Sequence, residues 1–263
     1  MEVIIQPDAI AAANLTARLI AAELRAKPAL TLGLATGRTM ESVYGQLVKM
    51  HRGENLDFSQ CHTFNLDEYV GLAADNPNSY RFYMNRHLFS QVNIESANTH
   101  LPNGAANDLE TECKKYEWLI VQRGGIGLQL LGIGHDGHIG FNEPLSSWRS
   151  RTRVKALSPV TRRENASQFS KPEDVPRRAI TMGIGTILDA RRCIMLATGA
   201  DKAEIVAQAI EGPMTAMVSA SALQLHPQCV VIVDEASGAK LKRTDFYREI
   251  FATEPEWEPY RKK

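Results

Sequence analysis

Leu30-Thr31-Leu32-Gly33-Leu34-Ala35-Thr36-Gly37-Arg38-Thr39, followed over residues 41–51 by apolar positions at helical spacing, is the stretch that decides the fold. A short apolar run, a glycine turn and an amphipathic helix make one strand–turn–helix unit. The unit recurs along the chain. Residues 3–5, 62–66, 126–131, 180–182, 193–197 and 229–233 are further candidate strands, and residues 11–26, 109–122 and 201–211 are predicted helices. Strands alternating with helices predict an α/β fold: an open, mostly parallel, doubly wound Rossmann-like sheet with helices on both faces. Its crossovers are expected to be right-handed.

With 263 residues, 44% of them hydrophobic, the chain is long enough for one large core, and no linker, repeat or low-complexity run divides it. A single domain over residues 1–263 is expected. Thirty Lys+Arg balance thirty Asp+Glu, leaving no overall positive field for nucleic acid or an anionic membrane. Apolar runs such as residues 229–233 fall far short of the roughly 20 residues that cross a hydrocarbon layer. Met1-Glu2-Val3 places an acid where a signal peptide carries Lys or Arg, and no apolar segment of adequate length follows. A soluble, cytoplasmic protein is therefore expected. Cys61, Cys113, Cys193 and Cys229 form no CxxC pair and have no His at metal-ligand spacing, so they read as reduced structural thiols. Residues 67–79 and 141–178 are the longest unpatterned stretches, and long loops in compact domains are usually functional or mobile. The second, with Pro159, Pro172, Pro176 and many charges, suits a lid, placed at about residues 153–181; residues 252–263 read as a C-terminal tail.

In an open parallel sheet the site forms beyond the carboxyl ends of the strands. After residues 30–34, the N–H groups that open the next helix can face an anion while Arg38 adds a charged fork, so Thr36, Gly37, Arg38 and Thr39 form a candidate phosphate cradle. The spacing is not that of a Walker loop, and Thr-Gly turns also cap helices for purely structural reasons. After residues 62–66, Asp67 and Glu68 put two adjacent carboxylates at a strand end. Neighbouring side chains there diverge, so one can face the site and the other the packing shell; turn or helix capping by Asp67 is the alternative. After residues 126–131 comes Gly132-Ile133-Gly134-His135-Asp136-Gly137-His138-Ile139-Gly140-Phe141-Asn142-Glu143-Pro144. His138, bracketed by Asp136 and Glu143 in a glycine-rich exit, reads as an acid/base group, because flanking carboxylates fix a tautomer and raise an imidazole's pKa. A metal site from the same residues lacks a clear third and fourth ligand of the usual type. After residues 193–197, Lys202 can reach an anion as a point charge.

Thr63-Phe64-Asn65-Leu66-Asp67-Glu68-Tyr69-Val70-Gly71-Leu72 and the segment from Gly132 to Pro144 resemble the two signature segments of the glucosamine-6-phosphate deaminases, with similarity over about residues 1–250. Residues 150–155, 183–190 and 223–227 share in it. The resemblance implies conversion of glucosamine 6-phosphate and water to fructose 6-phosphate and ammonia, without metal or organic cofactor. It makes Asp67 the base that moves a proton between C2 and C1, and His138 the acid/base that opens the sugar ring. Asp136 and Glu143 become the carboxylates that orient His138. Gly137 joins Thr36, Gly37, Arg38, Thr39 and Lys202 as substrate contacts, and Glu68 is supporting. Regulated bacterial members form hexamers, in which residues matching Ser146, Arg153, Lys155 and Tyr247 bind an N-acetylated sugar phosphate at a subunit interface; a homo-oligomer is expected by the same resemblance. Two departures stand out: Arg38 occupies the place of a glycine, and Ser167 that of a lid arginine that contacts phosphate. Arg38 is read as the relocated guanidinium, with an altered pocket for another amino-sugar phosphate as the alternative. The related 6-phosphogluconolactonases share a Gly-x-Asp-Gly-His segment but typically lack the Asp-Glu-Tyr-Val-Gly-Leu and Phe-Asn-Glu-Pro pieces. A sugar-phosphate sensor ranks last, because the first predicted strand begins at Val3 and leaves no room for a helix-turn-helix ahead of it.

Overall fold

A computed structural model describes residues 1–261. In chain order the elements are β1 (Glu2–Gln6), α1 (Ala9–Ala26), β2 (Thr31–Leu34), α2 (Arg38–Glu54), β3 (His62–Asn65), β4 (Asp67–Tyr69) and α3 (Tyr80–His87). There follow β5 (Thr99–His100), α4 (Leu109–Gln122), β6 (Leu128–Leu131), β7 (Arg153–Ala156), α5 (Pro159–Asn165) and β8 (Arg178–Thr181). The chain ends with α6 (Ile184–Leu188), β9 (Arg192–Ala197), α7 (Ala203–Glu211), β10 (Cys229–Asp234), α8 (Thr244–Thr253) and α9 (Glu258–Arg261).

Seven strands form a parallel sheet in the order β1-β10-β9-β6-β2-β3-β5. Every residue of β2, β6 and β10 is buried. Successive side chains leave a strand on opposite faces, so this sheet is covered on both sides, as the doubly wound reading expects. Strand order turns back between β2 and β6, because β3 and β5 extend one way from β2 and β6, β9, β10 and β1 the other. Crevices form at such a switch.

One predicted strand went elsewhere. The run at residues 180–182 is the end of β8, which belongs to a separate antiparallel sheet, β4-β8-β7, pairing Asp67 with Thr181 and Val154 with Ile180. The stretch from residue 67 therefore begins as a strand rather than a loop. Only Leu66 separates β3 from β4, so Asp67 sits where the chain leaves one sheet and enters the other.

The lid stretch is a β7–α5–β8 excursion with an apolar footing of its own. Leu157, Phe169 and Val175 pack with Tyr69, Tyr80 and Phe141 in a cluster apart from the main core, each such side chain gaining about 1.5–3 kcal/mol on burial. The helix predicted from Asp201 starts at Ala203, after a 3-10 turn over Ala200–Lys202. Residues 252–261 of the C-terminal stretch are largely helical and docked, residues 262–263 lying outside the described residues: Trp257 is 2% exposed, and Arg18 donates to the Tyr260 carbonyl at 3.1 Å. All four cysteines are free and buried. Among the described residues, no helix is long and apolar enough to cross a membrane.

Candidate active site

A cleft of about 390 Å³ opens at the carboxyl ends of β2, β3, β6 and β9. Thr36, Gly37, Arg38 and Thr39 come to it from the β2 exit, Asp67 from β4, His135 and His138 from the β6 exit, and Lys202 from the β9 exit. Glu164, Asn165, Ser167 and Gln168 of the lid close one side.

At the anion end, α2 starts without a side-chain cap, as α6, α7 and α8 also do, whereas Asp8, Ser79, Asp108 and Ser158 cap α1, α3, α4 and α5. The Met40 N–H of the first turn of α2 donates to the Gly37 carbonyl at 2.9 Å, and those of Arg38 and Thr39 remain for an acceptor in the cleft. Arg38 extends across the opening and donates to Ser167 Oγ at 2.8 Å. Arg38 thereby meets Ser167, the position at which the resemblance expects a phosphate-contacting arginine. Burial pulls the Lys202 ammonium below its ordinary value, against the pull of Glu164, Asp201 and Asp136.

At the other end the two neighbouring carboxylates separate as strand geometry requires. Glu68 turns into the packing shell and accepts from the backbone N–H groups of Tyr69, Tyr80 and Arg81 at 2.8, 3.0 and 3.0 Å. It holds the start of α3, so the capping considered for Asp67 belongs to Glu68. Asp67 faces the cleft and packs on Gly140, where an added Cβ would lie 3.4 Å from its Oδ2. Burial, reinforced by the Glu68 charge and opposed by His138, pushes the Asp67 carboxyl up to about 8.

His138 Nδ1 lies 2.6 Å from Asp136 Oδ1, which also accepts the His138 backbone N–H at 3.1 Å. Burial would lower this imidazole, but the contact and charge of Asp136, followed by Glu143 and Glu164, raise it above its ordinary value. Asp136, which burial alone would raise, is held by His138 at about 2. Glu143 stands behind the pair and accepts the Ser158 N–H at 2.9 Å, tying the β6 exit to the start of α5. Asp136, His138 and Glu143 carry ligand atoms within 4.8 Å of one another, close enough for a cation; with Asp136 on Nδ1, the trio works equally as an imidazole held by two acids.

A Cβ on Gly134 would lie 2.3–2.6 Å from three atoms of the His138 ring. Gly134→Ala should therefore displace the imidazole, lowering kcat tenfold or more and stability by about 1–3 kcal/mol. Steady-state kinetics with a melting curve will show it; wild-type kcat would mean that the ring does not need this seat.

Several of the expected residues lie outside the cleft wall. Asp136 and Glu143 act from behind His138, and Gly137 packs towards Val218 and Ile205. Arg153 donates to Ser146 Oγ at 3.1 Å, and Lys155 is two residues along on β7. Tyr247 lies on α8, which packs on β1, and donates to Glu211 at 2.9 Å. The sequence reading missed Tyr80, His135, Glu164 and Asp201 in the cleft. Ser79 before Tyr80 is a cap signal for α3; for the other three, only His135's place in the glycine-rich exit was available.

Residues 7–232 match the family described as glucosamine-6-phosphate isomerases/6-phosphogluconolactonase. A glucosamine-6-phosphate deaminase of Arthrobacter sp. (strain FB24) is 48% identical over 258 residues, 98% of this chain and 99% of that protein. A solved structure described as a monomeric glucosamine-6-phosphate deaminase superposes with a TM-score of 0.90 at 44% identity, covering 91% of this chain and 100% of the other. The 6-phosphogluconolactonase of Trypanosoma brucei shares the fold, with a TM-score of 0.74 at 18% identity over 91% of this chain and 98% of its own. With the family matched along most of its length, this chain belongs to the glucosamine-6-phosphate isomerase/6-phosphogluconolactonase family.

Proposed function

We propose that this chain is a glucosamine-6-phosphate deaminase, converting glucosamine 6-phosphate and water to fructose 6-phosphate and ammonia. One observation carries the reading: Asp67 and His138, delivered by different elements, line one cleft together with Arg38, Lys202 and the start of α2.

The substrate phosphate is taken by the α2 N–H groups, the Thr36 and Thr39 hydroxyls, Arg38 and Lys202. As the ring opens to the aldehyde, His138 gives a proton to the ring oxygen and the C1 hydroxyl gives up its own. Asp67 removes the C2 proton while the aldehyde oxygen takes one up, giving an enolamine, and returns a proton to C1. The resulting C2 imine takes up water and releases ammonia. A carboxyl at about 8 suits this shuttle, since it can both lose and regain a proton near neutral pH. Asp136 and Glu143 keep His138 charged and oriented. The lactonase alternative needs water activation at a carbonyl but no C2 base, and the lactonase likeness is to the fold alone. Purified protein should release ammonia and fructose 6-phosphate in equal amounts from glucosamine 6-phosphate and leave 6-phosphogluconolactone at its uncatalysed rate; the reverse pattern would overturn the assignment.

Arg38 takes the part of the missing lid guanidinium. Truncation to Ala should raise KM for the phosphorylated sugar by about 10- to 100-fold, the worth of a charged hydrogen bond of roughly 1.5–3 kcal/mol, with kcat much less affected. An unchanged KM would refute the relocation.

Two coarser readings accompany this one. Exposed Leu145 and Met214, which line a shallow pocket with Ser146, support a contact between copies of the chain. Four free, buried thiols support action in the reducing cytoplasm.

A further inference from the structure

The anion end of the cleft contains an electrostatic contradiction. Two cations, Arg38 and Lys202, face it, but so do two carboxylates, Glu164 of the lid and Asp201 beside Lys202. Left to themselves, these acids cancel the field that a phosphate needs and claim the lysine as their own partner. His135 stands between them. Its Nδ1 lies 2.9 Å from Glu164 Oε1 and its Nε2 2.7 Å from Asp201 Oδ2. Both partners are carboxylates: the ring is hydrogen-bonded to Asp201 and lies at ion-pair distance from Glu164.

We propose that His135 is a positioning residue for substrate phosphate: by holding Glu164 and Asp201 against one imidazole ring, it keeps two carboxylates off the cations at the anion end and leaves Lys202 and Arg38 to bind the dianion. His135 adjoins the Asp136–His138 pair in the chain, but its side chain turns to Glu164 and Asp201 while His138 pairs with Asp136. The same bridge joins the β6 exit, the β9 exit and the lid, so the three loops meet the phosphate in a fixed arrangement. His135 and Asp201 are exposed, and the effect is therefore expected to weaken with salt.

The proposal rests on the deaminase reading for its substrate, and its test uses a probe that does not. Binding of inorganic phosphate is measured by calorimetry at low ionic strength, beside KM and kcat for glucosamine 6-phosphate. His135→Gln, which keeps size but lacks a ring to hold both carboxylates, and His135→Ala should each raise the phosphate Kd and the KM together by about tenfold or more, with kcat within about threefold of wild type. Adding Glu164→Gln and Asp201→Asn to the His135→Ala chain removes the stranded charges and should bring both constants back to within about threefold of wild type. A merely structural role for His135 would leave that triple variant as weak as His135→Ala alone. Unchanged phosphate affinity in His135→Gln, or failure of the triple variant to recover it, overturns the proposal. If phosphate binding responds as described while no ammonia is formed, the deaminase reading fails and the charge arrangement stands.

Discussion

Asp67→Asn is expected to abolish turnover and, above about pH 4, to make the protein more stable. An amide cannot accept the C2 proton, and loss of a positioned general base costs about 10²–10⁴ in rate. The stability gain follows from where the carboxyl titrates. Its pKa rises from 3.8 to about 8 on folding, burial being the main cause. The folded state therefore binds this proton more tightly. The resulting stability is fully present below about pH 4 and lost as pH climbs through 8, where a buried charge must be carried. The amide avoids that loss, worth on the order of 5 kcal/mol once the carboxyl is ionised. Melting curves at pH 5 and pH 9 should show a much larger gain in Tm at pH 9. Equal gains at both values, or near wild-type turnover, would remove the buried base from the mechanism.

Asp136→Asn should be the next most damaging change. Asp136 is the strongest influence raising the His138 pKa, so without it the imidazole loses its proton at lower pH. Ring opening requires that proton. kcat/KM should fall by about 10²–10⁴ at neutral pH, and its basic limb should move towards acid. The sign for stability is opposite to that of Asp67. Asp136 sits at about 2 when folded against 3.8 ordinarily, so its contribution is present above about pH 4 and lost as pH falls through 2. The asparagine variant should be less stable at neutral pH and lose less on acidification. A pH–rate profile with an unmoved basic limb would disconnect Asp136 from His138.

The parallel sheet was legible because β2, β6, β9 and β10 are buried on both faces and so appear as apolar runs bounded by glycine turns. The small sheet was not. Asp67-Glu68-Tyr69 and Arg153-Val154-Lys155 are short and charged, and become strands only because β8 lies between them; no period in the sequence records that pairing. The divergence of Asp67 and Glu68 followed from strand geometry alone, although which acid caps α3 needed the position of Tyr80. Arg38 was readable as an anion ligand from the turn that carries it, while its reach to Ser167 spans 129 positions. His135 lay inside the most informative segment of the chain. Its function depends on Glu164 and Asp201, which only the fold brings to its two nitrogens.

Proton movement at C2 is the step on which the remainder depends, and it can be watched directly. Wild-type protein and Asp67→Asn are incubated with glucosamine 6-phosphate in deuterium oxide, and hydrogen at C2 of the sugar and C1 of the product is followed by NMR. Loss of the C2 hydrogen with formation of fructose 6-phosphate is expected in the wild type and absent from the variant. Exchange at C2 in Asp67→Asn at the wild-type rate would contradict the shuttle.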